Sequence, residues 1–335
     1  MATAVPEGRQ PMLVDRFGRA HTYLRIAVTD RCNLRCVYCT PATGVARCAP
    51  EALLTVAEIV RVARLLVSLG IRKIRLTGGE PTLRPGIDRL VAQLAALPGL
   101  ETLAMTTNGV LLPGQAAALR ASGLMALNVS LDTLREERYA RIAGHPGLPR
   151  VLAGIQEALA AGFVPLKLNV VVMGGINADE LLDFVAFTAD QPVNVRFIEY
   201  MPFPGNQWQA ARFVSYPTMK QAITSRYPLV PLDDAAGVAK RFQVPGFQGT
   251  VSFITPLSAA FCAHCNRLRL TADGLLKTCL FHPAEADLRP ALRDGTPDAA
   301  LADQIRRAVG RKLPGHRPVA DLVAGGDRSM LQIGG

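Results

Sequence analysis

Short β-rich runs alternate with amphipathic helical stretches over the first 200 residues of this 335-residue chain, and this alternation constrains its fold more than any other feature. Six candidate strands cover residues 24–28, 73–76, 102–106, 126–131, 167–172 and 194–198. Helical periodicity falls on residues 56–69, 86–96, 115–121, 149–161 and 178–188. Ahead of the first helix, Thr55 is a candidate N-cap with Glu58 completing a capping box, and Gly70 is a stop signal. This order predicts βαβ crossovers and a parallel sheet.

Polar or glycine-rich clusters follow nearly every predicted strand. They occupy residues 29–32, 77–81, 107–109, 130–132 and 199–201. A (β/α) barrel gathers its strand ends into one mouth where active sites lie, whereas an open sheet concentrates functional residues at its switch point. Because so many strand ends are polar, we predict an α/β fold with an incomplete (β/α)6 TIM-type barrel rather than an open doubly wound sheet.

The alternation stops at a breaker cluster, Pro-Phe-Pro-Gly-Asn, at residues 202–206. We therefore predict two regions: residues 1–202 as the partial barrel, with its core at about 15–202, and residues 203–335 as a less regular C-terminal region. The last five residues, 331–335, end in two glycines and are predicted to form a flexible tail.

Charge and composition narrow the class of ligand. The formal net charge of +10 favours phosphates, nucleotides or nucleic acid. Binders of single-stranded nucleic acid interleave aromatic with basic residues, and only 6% of this chain is aromatic. A nucleotide-sized anion therefore fits better than a polymer. A hydrophobic content of 49% excludes extensive disorder.

The expected location is the cytoplasm. No apolar stretch approaches the ~20 residues that a membrane-spanning helix needs. The N-terminal residues carry charges and prolines with no apolar signal region.

The cysteines fall into two groups of three, with one more between them. Cys32, Cys36 and Cys39 follow the first predicted strand, Cys262, Cys265 and Cys279 lie in the C-terminal region, and Cys48 stands alone. An odd count in a chain without a signal peptide favours metal or redox chemistry over disulfides. In the first group, three thiolates without a nearby histidine suit a 4Fe–4S cluster with one open iron. A zinc site stays open for both groups, with Cys48 or His264 as the fourth ligand.

The motifs around these cysteines resemble those of radical S-adenosylmethionine (SAM) enzymes, and specifically of the GTP 3′,8-cyclase family of molybdenum cofactor biosynthesis. The resemblance covers about residues 15–335. It rests on Cys32-x3-Cys36-x2-Cys39 with Tyr38, Gly78-Gly79-Glu80-Pro81, the run at 261–274 followed by Cys279, the segments at 30–33, 106–109, 128–132 and 196–199, and the double-glycine end. Two departures are Thr40, where many relatives have methionine, and the extra Cys48.

The resemblance implies a role for each site residue. Cys32, Cys36 and Cys39 would hold a first 4Fe–4S cluster, and Cys262, Cys265 and Cys279 a second. The implied SAM contacts are Tyr38, Gly79, Ser130 and Met201. The implied GTP contacts are Arg25, Arg75, Thr106, Lys167, Arg267, Leu268 and Arg269. Arg267, Arg269, Gly334 and Gly335 are implied to act in catalysis.

The resemblance also implies the reaction and its partners. A 5′-deoxyadenosyl radical would abstract the ribose 3′ hydrogen of GTP, and the C3′ radical would attack C8 of guanine. The product is (8S)-3′,8-cyclo-7,8-dihydroguanosine 5′-triphosphate. The implied partners are an electron donor such as flavodoxin or ferredoxin, the downstream cyclic pyranopterin monophosphate synthase and a second copy in a homodimer, with no nucleic acid and no membrane.

Independent support for an anion site comes from charges inside predicted strands. Arg25, Arg75 and Lys167 interrupt otherwise apolar runs, and Lys73 and Arg196 follow the same pattern. A charge in a buried parallel strand is costly unless it faces a ligand or an ion-pair partner. A structural ion pair stays open for each of them.

Two other interpretations stay open at this point. One is a different radical SAM enzyme with an auxiliary cluster and another substrate, although such relatives often carry further C-terminal cysteines and this chain has none after Cys279. The other is a non-catalytic, metal-containing, anion-binding protein.

Overall fold

A single mixed sheet organises the chain in the computed structural model, which describes residues 12–41, 44–232, 238–324 and 328–334. Its strands are β1 (Tyr23–Ala27), β2 (Lys73–Thr77), β3 (Thr102–Thr107), β4 (Ala126–Ser130), β5 (Leu166–Val172), β6 (Val193–Glu199), β7 (Val230–Leu232), β8 (Ala239–Gln243), β9 (Thr250–Ile254), β10 (Arg267–Leu270), β11 (Leu275–Lys277) and β12 (Ala286–Asp287). In the order β10-β1-β2-β3-β4-β5-β6-β9, neighbouring strands pair in parallel. Antiparallel strands extend both ends: β11 and β12 beyond β10, and β8 and β7 beyond β9.

Helices connect the strands as the sequence pattern predicts. They are α1 (Val56–Ser68), α2 (Ile87–Ala95), α3 (Ala116–Ala121), α4 (Glu136–Ala143), α5 (Leu148–Ala160), α6 (Leu181–Ala186), α7 (Tyr216–Thr224), α8 (Arg289–Arg293), α9 (Asp298–Gly310), α10 (Val319–Ala324) and α11 (Met330–Ile333). The six predicted strands are confirmed to within one residue at each end. The predicted capping box of α1 is present, with the Thr55 hydroxyl accepting from the Glu58 N–H. Helix α4, between β4 and β5, was not predicted.

The two faces of the parallel strands differ in chemistry. On β1, Leu24 and Ile26 are fully buried, whereas Tyr23 and Arg25 line a cavity. Strand β2 repeats this alternation, because Ile74 and Leu76 are buried and the residues between them line the same cavity. Successive side chains of a strand point to opposite faces. The apolar face therefore packs against helices such as α1, and the polar face curves around the cavity.

The C-terminal region belongs to the same sheet. The sequence pattern predicts that the strand–helix alternation ends at residue 202, yet α7 follows β6, β9 pairs with β6 and β10 pairs with β1. Both pairings are parallel, so residues from beyond 202 extend the curved parallel sheet at its two edges. The division of the chain at residue 202 remains a prediction.

The prediction of a flexible tail is wrong for residues 331–334. Residues Met330–Ile333 form α11, whose capping box joins Ser329 and Gln332. Ile333 is 2% exposed and packs in a cluster with Phe203, Phe281 and Leu322. The apolar side chains before the glycines pack against the rest of the protein. A terminal Gly-Gly pattern alone does not indicate this packing. Gly335 lies outside the described residues.

Among the described residues, no helix is both long enough and apolar enough to cross a membrane.

One buried carboxylate ties the C-terminal region to the barrel. Glu199, at the end of β6, is 0% exposed. Its oxygens accept from the backbone N–H groups of Tyr216 at 3.0 Å, Leu257 at 2.9 Å and Ser258 at 3.0 Å, and from the Ser258 hydroxyl. These bonds fix the start of α7 and the loop after β9 against β6.

We expect Glu199→Gln to lower the free energy of unfolding by about 3 kcal/mol, because the new amide NH2 would face N–H donors in a buried site. Denaturant unfolding monitored by circular dichroism measures this change. The matched control is Glu136→Gln on the exposed first turn of α4, where the loss should stay below about 1 kcal/mol. Equal losses in the two variants would contradict the buried role of Glu199.

Candidate functional site

The curved sheet encloses a cavity of about 790 Å³. Its lining runs from the loop after β1, with Cys32 and Cys39, down to Thr22 and Arg72 at the amino ends of the strands. Residues from every parallel strand contribute to it. The site is therefore the interior of the partial barrel.

The loop that carries the first three cysteines is held against the Gly-Gly segment after β2. Gly79 N–H donates to the Thr29 carbonyl at 2.8 Å, and the backbone N–H of the next residue, Glu80, donates to the Arg31 carbonyl at 2.7 Å. A Cβ at Gly79 would lie 2.2 Å from the Arg31 oxygen, and one at Gly78 would lie 2.4 Å from the Thr29 oxygen. Only glycine permits this backbone approach. The closest neighbour of Gly79 is thus the cysteine loop itself.

Glu80 connects the cysteine loop to the end of β3. It is fully buried, and burial raises the pKa of its carboxyl. Its carboxylate accepts from the Thr107 hydroxyl at 2.6 Å and the Asn108 N–H at 2.7 Å. The Asn108 amide in turn donates to Asn33 at 2.8 Å and lies 3.8 Å from the Cys32 sulfur. These bonds explain in physical terms why the segments at 30–33, 78–81 and 106–109 occur together.

Cys32, Cys36 and Cys39, the first thiol triad, line the upper end of the cavity. Burial raises the pKa of all three thiols, and the Cys32 charge adds to the rise at Cys39, whose pKa reaches about 12. Three mutually repelling thiolates need a cation, so this donor set fits an iron–sulfur cluster that keeps one iron open. Cys48 lies beside Asp30 instead, and its N–H donates to that carboxylate at 2.6 Å. In the described ranges, no three His, Cys, Asp or Glu side chains are grouped to hold a single metal ion.

The four residues predicted to contact SAM all line the cavity: Tyr38, Gly79, Ser130 and Met201. Tyr38 also hydrogen-bonds to Asp132, a residue that sequence reasoning missed. Burial raises the pKa of the Asp132 carboxyl to about 6, although the Val171 N–H donates to it at 2.8 Å.

The lower part of the cavity is lined by cations. They are Arg25, Arg72, Lys73, Arg75, Lys167, Arg196, Arg241, Arg267 and Arg269, whereas the acids in the described lining are Glu101 and Asp132. Strand register places like charges side by side, because Arg25 lies opposite Arg75 on one side and Arg269 on the other. Directly opposed like charges on neighbouring strands are destabilising. This arrangement is suited to a multiply charged anion.

Burial and mutual repulsion act on these cations. Burial lowers the pKa of Lys167 to about 8, and repulsion by the charges of Arg196 and Arg75 adds to this shift. Burial also lowers the pKa of Arg269 to about 9, and repulsion by the charge of Arg25 adds to this shift. Within the described part of the chain, no carboxylate lies within salt-bridge distance of Lys167, Arg196 or Arg269. The structure thus gives no support to the ion-pair alternative for Lys167 and Arg196.

Arg75 is held in place by neighbouring strands. Its Nε donates to the Tyr23 hydroxyl at 2.7 Å, and its Nη1 donates to the Met105 carbonyl at 2.9 Å, the Asn128 amide oxygen at 2.9 Å and the Thr106 hydroxyl at 3.2 Å. The predicted residue Thr106 therefore acts together with Arg75.

Tyr23 is a further residue that sequence reasoning missed. Burial raises its pKa, but the surrounding cations, Arg75 and Arg25 foremost, bring the pKa well below its usual range. The Lys73 ammonium lies 5.2 Å from its ring centroid. The alternation of side chains along a strand could have identified it, because Tyr23 lies two residues before Arg25 and therefore shares its face of β1.

Arg267 and Arg269 lie on one face of β10, as predicted, and both line the cavity. Leu268 between them is 0% exposed on the opposite, core face. Any contact of Leu268 with a ligand in the cavity would therefore come from its backbone.

The second thiol triad, Cys262, Cys265 and Cys279, flanks β10. Cys265 and Cys279 are close enough to interact electrostatically. Although burial raises the pKa of Cys265, Lys312 and a backbone hydrogen bond outweigh it and lower that pKa. His264, the alternative zinc ligand, is exposed. Three thiols without a fourth side chain again fit a 4Fe–4S cluster with one open iron.

Gly334 lies against the carboxyl ends of β1 and β2. Its φ is +73°, and a Cβ there would lie 2.7 Å from the Thr77 hydroxyl and 2.8 Å from the Ala27 Cβ. Its carbonyl accepts from Arg269 Nη1 at 3.2 Å. Met330 and Leu331, just before it, line the cavity. The tail thus lies at the carboxyl ends of β1 and β2, beside Arg269.

Comparison with known proteins gives two matching family models and several close relatives. Residues 26–188 match the model of the radical SAM superfamily, and residues 193–318 match Molybdenum Cofactor Synthesis C. The chain is 48% identical to the mitochondrial GTP 3′,8-cyclase of Arabidopsis thaliana, over 97% of this chain and 84% of that protein. It is 46% identical to the GTP 3′,8-cyclase of Moorella thermoacetica, over 96% of this chain and 99% of that protein.

Other matches are partial or distant. The chain spans about half the length of relatives named Molybdenum cofactor biosynthesis protein 1, such as the Mus musculus protein, of which it covers 51%. Among solved structures, SuiB of Streptococcus suis bound to S-adenosylmethionine superimposes with a TM-score of 0.59 at 17% identity, over 87% of this chain and 69% of that one. That likeness shows the fold.

We expect Lys167→Met to raise Tm most at neutral pH. The pKa of Lys167 in the folded protein, about 8, lies below the unfolded value of about 10.4. The unfolded chain therefore binds more protons between these values, so the cost of the buried charge is full below pH 8 and vanishes above about pH 10.4. The gain in Tm should narrow as pH rises through this window.

Differential scanning fluorimetry at pH 7 and pH 9.5 measures the effect, with Lys220→Met on α7 as the control. A gain in Tm that stays constant with pH would contradict this prediction. Inorganic tripolyphosphate should raise the Tm of the unmodified protein more than that of Lys167→Met, because an anion that binds the folded state stabilises it.

Proposed function

The chain belongs to the GTP 3′,8-cyclase family of radical SAM enzymes, and from that membership we propose that it converts GTP to (8S)-3′,8-cyclo-7,8-dihydroguanosine 5′-triphosphate, the first step of molybdenum cofactor biosynthesis. One observation above all supports this proposal. A cavity lined by closely spaced cations extends from the first thiol triad, and its wall at β10 is flanked by the second.

The first thiol triad is the proposed binding site of one 4Fe–4S cluster, to which SAM binds at the open iron. When bound and reduced, the cluster would supply the electron that splits SAM into methionine and a 5′-deoxyadenosyl radical, and that radical is the group able to abstract hydrogen. The chain's own contribution is to position them and to exclude solvent. Gly79 keeps the cysteine loop close to β2, and Tyr38, Ser130 and Met201 line the space beside it.

The cations are proposed to bind and orient GTP. Arginine offers a planar fork to phosphate oxygens, and lysine adds a point charge. Arg25, Arg75 and Lys167 are proposed to contact the nucleotide, with Thr106 acting beside Arg75. Fixing the triphosphate holds the ribose and base at a defined distance from the SAM end of the cavity, which is how orientation lowers a barrier.

The β10 side of the cavity is proposed to receive the guanine end. Cys262, Cys265 and Cys279 would hold the second 4Fe–4S cluster, which would supply an open iron as a binding position for the base. Arg267 and Arg269 project from β10 into the cavity, and Arg269 also holds the Gly334 carbonyl. We assign Arg267, Arg269, Gly334 and Gly335 to the cyclisation step.

Several wider assignments belong to the same proposal. Cleavage of SAM takes one electron, and reduction of the cyclised radical to the 7,8-dihydro product takes a second electron with a proton, so we propose a flavodoxin or ferredoxin as donor. Its product requires cyclic pyranopterin monophosphate synthase as the next enzyme. Matches at 26–188 and 193–318 support a division into a barrel region, 1–202, and a C-terminal region, 203–335. We further propose a cytoplasmic location and a homodimer.

The decisive test is an anaerobic assay of reconstituted, reduced protein with SAM and GTP, followed by mass spectrometry. We expect about eight iron and eight sulfide per chain, and formation of 5′-deoxyadenosine and the cyclised nucleotide in equal amounts. SAM cleavage without a nucleotide product would assign the chain to a different radical SAM reaction. One or two zinc per chain and no SAM cleavage would favour a non-catalytic anion-binding protein.

We expect a chain that ends at Ile333 to lose cyclisation by about 100-fold or more while it keeps both clusters, because the group held by Arg269 is gone and small misplacements are costly. Product formation and iron content measure the two effects. A chain ending at Gly334 is the matched control and separates the contributions of the two glycines. Full activity of the chain ending at Ile333 would remove the tail from the mechanism.

A further inference from the structure

A buried lysine lies directly behind the second thiol triad. Lys312 follows α9 and is 3% exposed. Its ammonium lies 3.2 Å from the Cys265 carbonyl, 3.2 Å from the Arg267 carbonyl and 3.6 Å from the Cys265 sulfur. An ammonium group has three N–H donors, so each donor has an acceptor, and one of them is a proposed cluster ligand.

The charges around Lys312 point to the same partner. Among the described residues, no carboxylate lies within salt-bridge distance of its ammonium. Its electrostatic neighbours include the guanidinium of Arg19, the imidazole of His21, and the thiols of Cys265 and Cys279. A buried ammonium is costly unless an opposite charge compensates it. Thiolates bound to a metal supply that charge, since coordination deprotonates a thiol outright.

Arg19 holds the segment around Lys312 in a fixed position. Its guanidinium donates to the Leu313 carbonyl at 2.7 Å, the Pro314 carbonyl at 2.8 Å and the Cys262 carbonyl at 2.9 Å. Asp15 pairs with Arg19 at 2.6 Å. The loop that carries Lys312 is therefore attached to the backbone of the same triad that the ammonium contacts, and this limits its movement relative to Cys265.

We propose that Lys312 is a positioning residue that raises the reduction potential of the second cluster through the positive charge that its N–H···S contact places beside Cys265, and that its bonds to the Cys265 and Arg267 carbonyls align that cluster with the substrate-facing arginines. The inference rests on the proposed function, which places a cluster at this triad. Hydrogen bonds to cluster sulfurs and nearby positive charge favour the reduced, more negative state of a cluster.

The test is a redox titration of the reconstituted protein with both clusters, monitored by electron paramagnetic resonance. A parallel protein with Cys32→Ala, Cys36→Ala and Cys39→Ala identifies the signal of the second cluster. In Lys312→Met we expect reduction of that cluster to become about tenfold less favourable, a shift of about 59 mV to more negative potential for a one-electron couple. The first cluster should keep its potential.

Two matched variants separate charge from structure. Lys312→Arg keeps the cation and should stay near the unmodified potential, and Lys220→Met removes a lysine from α7, which packs against α6, and should change nothing. If Lys312→Met holds only about four iron, Lys312→Gln takes its place, because it keeps an N–H donor without the charge.

An unchanged potential in Lys312→Met with full iron content, or in the Gln variant where that replaces it, would overturn the inference even if Tm falls. If the unmodified protein holds only about four iron, the second cluster is absent. That result would contradict both the proposed function of this triad and the role of Lys312.

Discussion

Like charges crowded on the inner face of a parallel sheet are the constraint on which this structure depends. Arg25, Arg75 and Arg269 occupy opposed positions on three neighbouring strands, and burial lowers the pKa of Arg25 to about 10 and that of Arg269 to about 9. Such a face opposes folding. The outer face of the same strands offsets it with a continuous apolar core under the helices. The repulsion between these cations remains in the folded protein. A polyanionic ligand that binds this face would relieve the repulsion, and that relief would contribute to the binding free energy.

Close backbone contacts, rather than side-chain packing, place the first thiol triad at the end of this charged surface. Gly78 and Gly79 let the strand end of β2 lie against the loop after β1, and Glu80 carries the connection on to β3. This explains why a short Gly-Gly-Glu segment occurs with a cysteine motif that ends 39 positions before it in the sequence. The geometry of the Gly-Gly-Glu segment therefore supports the cysteine loop, in addition to any ligand that binds beside it.

Local patterns predicted the barrel strands and the cations well, because both signals lie within single strands. Period-two alternation predicts that Arg267 and Arg269 share a face, and this is confirmed because both line the cavity whereas Leu268 between them is buried in the core. Long-range features were beyond such reasoning. The pairing of β9 with β6 joins segments about 50 residues apart in sequence, and the docking of Ile333 depends on Phe203 and Phe281. No local signal encodes those distances, so the sequence pattern predicts a flexible tail where the structure has α11.

The C-terminal region completes the site rather than standing beside it. Strand β10 pairs with β1, so Arg269 enters the cavity next to Arg25, while its guanidinium also holds Gly334 at the mouth. The same strand is bounded by Cys265 at its start, and Lys312 contacts both that sulfur and the Arg267 backbone. A single four-residue strand therefore connects the second thiol triad, the cationic surface and the tail. A displacement of β10 would move all three together, which makes its pairing with β1 the structural link between the two ends of the site.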